Sequence, residues 1–244
     1  NVQFYMAKAA EAFGHLQNAL GLSPAVLRTG RKGLRLKTLR TQYKSEMHSG
    51  TPINGLCGIR GLDGDVINGF IHLFKAADHL ADDHPDMFNP TPFSGPVMQA
   101  KPLDHLFDSA RGTVNVWESD PFDHIEMRNI VAYFSNAATH IIHNVGLTRK
   151  IIRERNLGSA ALDYYSEFHA PVRKTAAILL KSGLMGADGK IFRFGHQLIN
   201  MDTGEIAVTT TVVGCYFDMT SRKSVALPEE FTNYPKEKLL NLQF

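Results

Sequence analysis

Apolar residues recur along the chain with two distinct periods. Phe4, Ala7, Ala10, Phe13, Leu16 and Leu20 fall at helical spacing, and Gly21 ends the run. Ile130, Val131, Phe134, Ala137, Ile141 and Val145 do the same and stop at Gly146. The pattern predicts two long amphipathic helices. Elsewhere the runs are strand-like. Gly112 to Ser119, carrying Val114 and Val116, reads as a strand leading into the second helix, and another strand is expected around Leu162 to Phe168. Ala176 to Leu184 and Ile191 to Asn200 form a hairpin across Gly186-Ala187-Asp188-Gly189. Met201 to Glu205 is a further turn, and Ile206 to Phe217 is the most β-branched run of the chain. From Leu227 the tail reads as surface turn and short helix.

The two helices belong to a longer repeat. A gapless shift of 125 positions places Ala7 on Ala132, Ala12 on Ala137, His15 on His140, Gly21-Leu22 on Gly146-Leu147 and Arg28 on Arg153. The same shift carries Gly33 to Gly158, Ile53 to Ile178, Asp63-Gly64 to Asp188-Gly189 and Leu73 to Leu198. Each Asp-Gly sits between strand-like runs, the signal of a tight hairpin whose glycine supplies positive φ. The repeated unit is a long helix, a strand and a β-hairpin. Together with its flanking strands it predicts an α+β unit whose antiparallel sheet wraps a central helix. The first copy lacks an opening strand, and its last strand has no clear candidate. His79 to Gly95 is polar and proline-bearing, and Pro96 to Ala100 is a short candidate. This divides the chain into a first unit at 1–89, a linker at 90–110 and a second unit at 111–244.

Composition narrows the class. With 244 residues, 43% of them hydrophobic, the chain is able to bury a substantial core. A formal charge of +2 excludes a strongly basic nucleic-acid binder, and the basic stretch from Arg28 to Arg40 reads as a solvated face. Two cysteines argue against a disulfide scaffold, and no apolar run approaches a membrane span, so the cytoplasm is the expected compartment. Because the sequence opens at Asn1, already inside a helix, further residues are expected upstream.

The stretch that concentrates chemistry is Trp117 to Phe134. Asp120 and His124 flank a helix start, where unpaired amides and the positive end of the macrodipole can polarise a carbonyl. The plainer alternative is that Asp120 caps a core helix and His124 sits at its mouth. His15 and His140 share one repeat position, which equivalent packing explains. His196 alternates with Phe192 and Phe194 on one strand face and reads as a satisfied core histidine. No His, Cys and Glu grouping has zinc-site spacing, and the repeat puts Ser182 opposite Cys57, which argues against a required thiol.

Asp120-Pro121-Phe122-Asp123-His124-Ile125-Glu126 resembles the Asp-x-x-Gly-His-Met-Asn-like turn that leads into the central helix of hotdog-fold thioesterases. Asn1-Val2-Gln3-Phe4-Tyr5 looks like the residues just after that family's Gly-His-Met. Phe194 to Glu205, the following strand and Ala226 to Glu230 resemble the closing hairpin of acyl-CoA thioester hydrolases. The resemblance implies two tandem hotdog units forming a pseudo-dimer, with acyl-thioester sites between the halves. It further implies an acidic residue near the helix as base or nucleophile, and helix N-terminal amides on the thioester carbonyl. Carried over, Asp120 is the carboxylate, His124 a polar contact at the helix mouth, Asn1 a remnant of the first copy's motif and Glu11 a candidate helix acid. Arg173 and Lys174, and the basic cluster Arg28, Arg31 and Lys32, become candidates for the coenzyme A phosphates. The second copy departs from the family where Asp123 replaces glycine and Glu126 replaces asparagine, both adding charge where an oxyanion would form. The expected substrate is an acyl-CoA or, second, an acyl-carrier-protein thioester, with coenzyme A present only as part of the substrate and no cofactor or metal. No nucleic acid or membrane partner is expected, and exposed sheet edges make a homodimer of tandem chains plausible. The rival readings are an acyl-thioester binding module without chemistry and a hotdog dehydratase, for which the His-bearing loop is lacking.

Overall fold

The computed structural model describes residues 2–30, 33–78 and 91–242. The chain opens with helices α1 (Val2–Ala19) and α2 (Pro24–Gly30), then strands β1 (Thr38–Gln42), β2 (Ile53–Asp63) and β3 (Val66–Lys75). Strand β4 (Phe107–Thr113) leads to helices α3 (Met127–Asn144) and α4 (Arg149–Glu154). Strands β5 (Leu157–Phe168), β6 (Ala177–Asp188), β7 (Ile191–Asn200) and β8 (Ile206–Asp218) follow, then the short α5 (Glu229–Thr232) and a 3-10 turn at Lys236–Lys238. Six strands form one antiparallel sheet in the order β1-β5-β8-β7-β6-β4, and β2 pairs with β3 in a separate ribbon.

Helix α3 packs against this sheet with Ile130, Val131, Phe134, Ala137 and Ile141 buried, the face its apolar periodicity predicts. In α1 the predicted stripe holds at Leu16 and is displaced by one position on the turns before it. Phe4 is 66% exposed, whereas Met6 and Leu16 are the buried side chains. The repeat explains the shift: the counterparts of the buried α3 residues are Tyr5, Met6, Ala9, Ala12 and Leu16. Phe4 instead corresponds to Asn129, which sits at the mouth of α3 and bonds the Glu118 carbonyl at 3.0 Å.

Elements recur at the spacing of the sequence repeat. Helix α1 begins and ends 125 residues before α3, β3 begins and ends 125 residues before β7, and α2 begins 125 residues before α4. The pairing of β1 with β5 obeys the same relation. Thr38 faces Glu167 and Gln42 faces Asp163, so shifting one pair by the repeat returns the other, with Arg40 opposite Tyr165 at the centre. The ladder continues through Phe168 N–H to Lys37 O and Tyr43 N–H to Leu162 O, both 2.9 Å. Segments equivalent in the sequence repeat therefore pair antiparallel, in a register that the repeat maps onto itself. Arg40 grips Asp163 across this junction through Nε at 3.1 Å and a terminal nitrogen at 2.6 Å. Helices α1 and α3 also touch.

Two local predictions are corrected. The strand expected over Gly112 to Ser119 lies earlier, at Phe107–Thr113, and Val116–Glu118 is a 3-10 turn. The turn forms because the Glu118 carboxylate reaches back to the Asn115 amide at 2.7 Å. Pro96 to Ala100 is not a strand. It straps the outer sheet face, with the Met98 amide donating to Thr211 Oγ1 at 3.0 Å and Gln197 Nε2 donating to the Gln99 and Lys101 carbonyls.

Candidate functional site

The turn ahead of α3 is held from several directions. Glu118 Oε2 accepts the Asn115 amide, Asn115 Nδ2 at 3.1 Å and the Tyr133 hydroxyl at 3.1 Å. Partial burial, and then the Glu118 carboxylate, push the Tyr133 hydroxyl up to about 12. The Glu118 carbonyl accepts the Glu126 amide at 2.9 Å. Asp120 Oδ1 accepts the amides of Phe122 at 2.8 Å and His124 at 2.9 Å, the local bonding that short carboxylates favour in turns. Oδ2 of Asp120 accepts no hydrogen bond from the described residues.

Asp123 occupies the left-handed region with φ of 66°, so this position does demand the backbone that a glycine supplies most easily. Its carboxylate pairs with Lys174 at 2.8 Å, and that contact holds the Asp123 carboxyl below its usual range. Glu126 is the N-cap of α3 and pairs through its side chain with Arg128 at 2.6 Å. The first intrahelical bonds come from Asn129 and Ile130, so the Met127 and Arg128 amides stand ahead of the ladder. The turn is also stitched to the loop after β5. Ile125 N–H donates to Val172 O at 2.8 Å and Lys174 N–H to Asp123 O at 2.8 Å. Phe122 packs over Gly33 of the first half, where an added Cβ would lie 2.7 Å from the ring.

Asp120, His124, Arg173 and Lys174 are thus brought together, with the last two on the loop that pairs with the turn. The His124 ring is half-buried and makes no hydrogen bond among the described residues. Arg173 is exposed, while Lys174 is committed to Asp123. Glu11 lies elsewhere: its carboxylate is 60% exposed and pairs with Lys8 one turn away at 2.9 Å. Asn1, Arg31 and Lys32 lie outside the described residues. His15 and His140 are both exposed. His196 is fully buried, stacked on Phe134, with Nδ1 bonded to Ser182 Oγ at 2.7 Å and Nε2 without a partner among the described residues. The sequence reading missed Glu118 and Tyr133. The Asn115-x-x-Glu118 spacing, a capping-box pattern, was the available signal for the first.

Residues 114–234 match the model of the thioesterase-like superfamily. This part of the chain belongs to that superfamily. Helix α3 in the curve of β4 to β8 is the hotdog arrangement the sequence resemblance implied. No curated relative matches the sequence at a significant level. Among solved structures the chain is similar to the hypothetical protein SAV2348 from Staphylococcus aureus, described in complex with CoA. Identity there is 20%, over 57% of this chain and 84% of that one, at a TM-score of 0.48. It is also similar to a probable thioesterase from Bartonella henselae, at 14% identity over 50% and 99% of the two chains, with a TM-score of 0.45. A 1,4-dihydroxy-2-naphthoyl-CoA thioesterase from Synechocystis aligns at 13% identity over 51% and 92%, with a TM-score of 0.45. No helix of the described residues is long and apolar enough to cross a membrane.

Proposed function

We propose that the chain is a tandem pair of hotdog units hydrolysing an acyl-CoA thioester to free acid and coenzyme A in the cytoplasm. Family membership of residues 114–234 carries the reading. Recurrence of elements 125 residues apart extends it to the first half. In the proposed reaction a carboxylate takes a proton from water as its oxygen attacks the thioester carbonyl. Helix N-terminal amides hold the oxyanion, the C–S bond breaks, and the coenzyme A thiolate leaves and is protonated. A thioester is activated enough that no metal or organic cofactor is invoked.

In the second unit the carboxylate is Asp120, the amides are those of Met127 and Arg128, and His124 is the polar contact beside them. Arg173 is the cation we assign to the phosphates, since Lys174 is held by Asp123. The carboxylates of Asp123 and Glu126, though paired with Lys174 and Arg128, add bulk and negative charge beside a developing oxyanion, so we place the main activity at the first unit's motif, of which Asn1 is the remnant. The test is thiol release from acyl-CoAs of short to long chain, by wild type and Asp120→Asn. Release with most activity kept in Asp120→Asn is the expected result. Loss of activity in that variant would move the reaction to the second unit, and no release from any acyl-CoA would overturn the hydrolase reading. Asp123 and Glu126 favour a second reading, a thioester-binding module, which would show saturable acyl-CoA binding without free thiol.

A further inference from the structure

Trp117 is the chain's single tryptophan and is 76% exposed, an unusual setting for the largest apolar side chain. Val116 beside it is 59% exposed. The backbone that carries them is fixed. Glu118, the next residue, is held by Asn115 and Tyr133 through its carboxylate and by Glu126 and Asn129 through its carbonyl. Ser119 Oγ closes the turn on the Val116 carbonyl at 2.7 Å. An indole displayed on so constrained a turn loses little conformational freedom when a flat ligand stacks on it.

A second observation indicates the ligand's charge. Ser119 bridges Ile125, and His124 bridges Arg173, so the tryptophan turn, the acidic turn and the loop after β5 run side by side. At the usual strand spacing this puts the Arg173 segment roughly 10 Å across from that of Trp117. Arg173 is exposed and, unlike Lys174, pairs with no carboxylate among the described residues. A planar face and, on a segment roughly 10 Å away, a guanidinium in no ion pair among the described residues suit a ligand with a heteroaromatic ring at one end and phosphates at about that reach.

We propose that Trp117 is the stacking platform for the adenine of coenzyme A, with Arg173 receiving its phosphates. The assignment rests on the acyl-CoA reading above. Because Trp117 is the only indole, its emission reports the site directly. Titration with coenzyme A and with adenosine 3′,5′-bisphosphate is expected to change the emission saturably, while pantetheine does not. By calorimetry, Trp117→Ala is expected to weaken coenzyme A binding about tenfold, in the range of one base-stacking contact, and Trp117→Phe to recover part of it. Arg173→Gln is expected to weaken both nucleotide ligands and leave pantetheine unaffected.

An equal response to pantetheine, or wild-type coenzyme A affinity in Trp117→Ala, overturns the proposal. So does an emission change produced by a carrier protein and not by coenzyme A. Binding needs no turnover, so the two readings fail separately. Coenzyme A quenching without hydrolysis of any thioester removes the activity and keeps the platform. Hydrolysis with an unchanged acyl-CoA KM in Trp117→Ala removes the platform and keeps the activity.

Discussion

Acid stability tests the packing of the second unit most directly, through His196. Its imidazole is fully buried between Phe134 and Phe194, and burial lowers its pKa from 6.5 to about 3. The unfolded chain therefore binds a proton over this window that the folded chain refuses. The folded pKa is depressed, so the unfolded state gains protons first, and stability is complete above pH 6.5 and falls as the pH drops toward 3. A one-proton difference between the two states is worth ~1.4 kcal/mol for each pH step of one, so the whole window amounts to ~5 kcal/mol, a large share of a domain's stability. The assay is urea unfolding of wild type and His196→Leu at pH 7, 6, 5 and 4. At pH 7 the variant is expected to be less stable by ~1–3 kcal/mol, because Ser182 loses its His196 partner and keeps only Ser109, and the stacking on Phe134 is lost. Its curve lacks the His196 slope, so the two are expected to cross near pH 5, at about 1.4 kcal/mol per pH unit of difference. Contributions common to both proteins cancel in the difference. Parallel curves from pH 7 to pH 4 would refute the argument.

Asp120→Ala is expected to cost ~1–2 kcal/mol in chemical denaturation, since Oδ1 holds two turn amides, whereas Asp120→Asn keeps an acceptor oxygen and stays near wild type. Equal stability of the two variants would contradict that role. Gly33→Ala would place a Cβ 2.7 Å from Phe122, with an expected loss of ~1–3 kcal/mol, and Phe122→Leu should relieve part of it in a double-mutant cycle. Additive effects would show that the two halves do not meet there. Arg40→Lys removes the forked grip on Asp163 at the junction, so thermal unfolding should move down by the equivalent of ~1–3 kcal/mol. An unmoved transition would show the pair to be a bystander.

Helix α3, the Asp-Gly hairpins and the spacing of the repeat were legible because each rests on local chemistry: one apolar face, or one glycine at positive φ. The α1 face was misread because Phe4 outweighs Met6 in hydrophobicity, although the repeat register pointed to Met6. Strand β4 was misplaced because Val114 and Val116 look more strand-like than Phe107-Asp108-Ser109-Ala110. What selects the latter is pairing with β6 at Phe107↔Ser182 and Thr113↔Ala177, a partner far along the chain. The site was legible in its residue types and not in their commitments. That Lys174 is taken by Asp123, and that Phe122 rests on Gly33, depends on contacts between segments that no local pattern announces.

The inner face of the sheet carries a buried polar row that the sequence repeat does not preserve. Ser182, His196, Thr210 and Ser166 face one another across β6, β7, β8 and β5, and all four are buried. Ser109 extends the row through Ser182 at 2.6 Å, and Ser166 bonds Thr210 at 2.8 Å. The repeat places Cys57 opposite Ser182 and Ile71 opposite His196, so this polar row is not a requirement of the architecture. Leu180, Leu198 and Val208 border it on one side, and Leu184, Phe194 and Val212 on the other, which leaves each hydroxyl few partners but its neighbours. A buried polar group without such a partner costs ~1–3 kcal/mol, so the row fixes strand register more strictly than apolar side chains would.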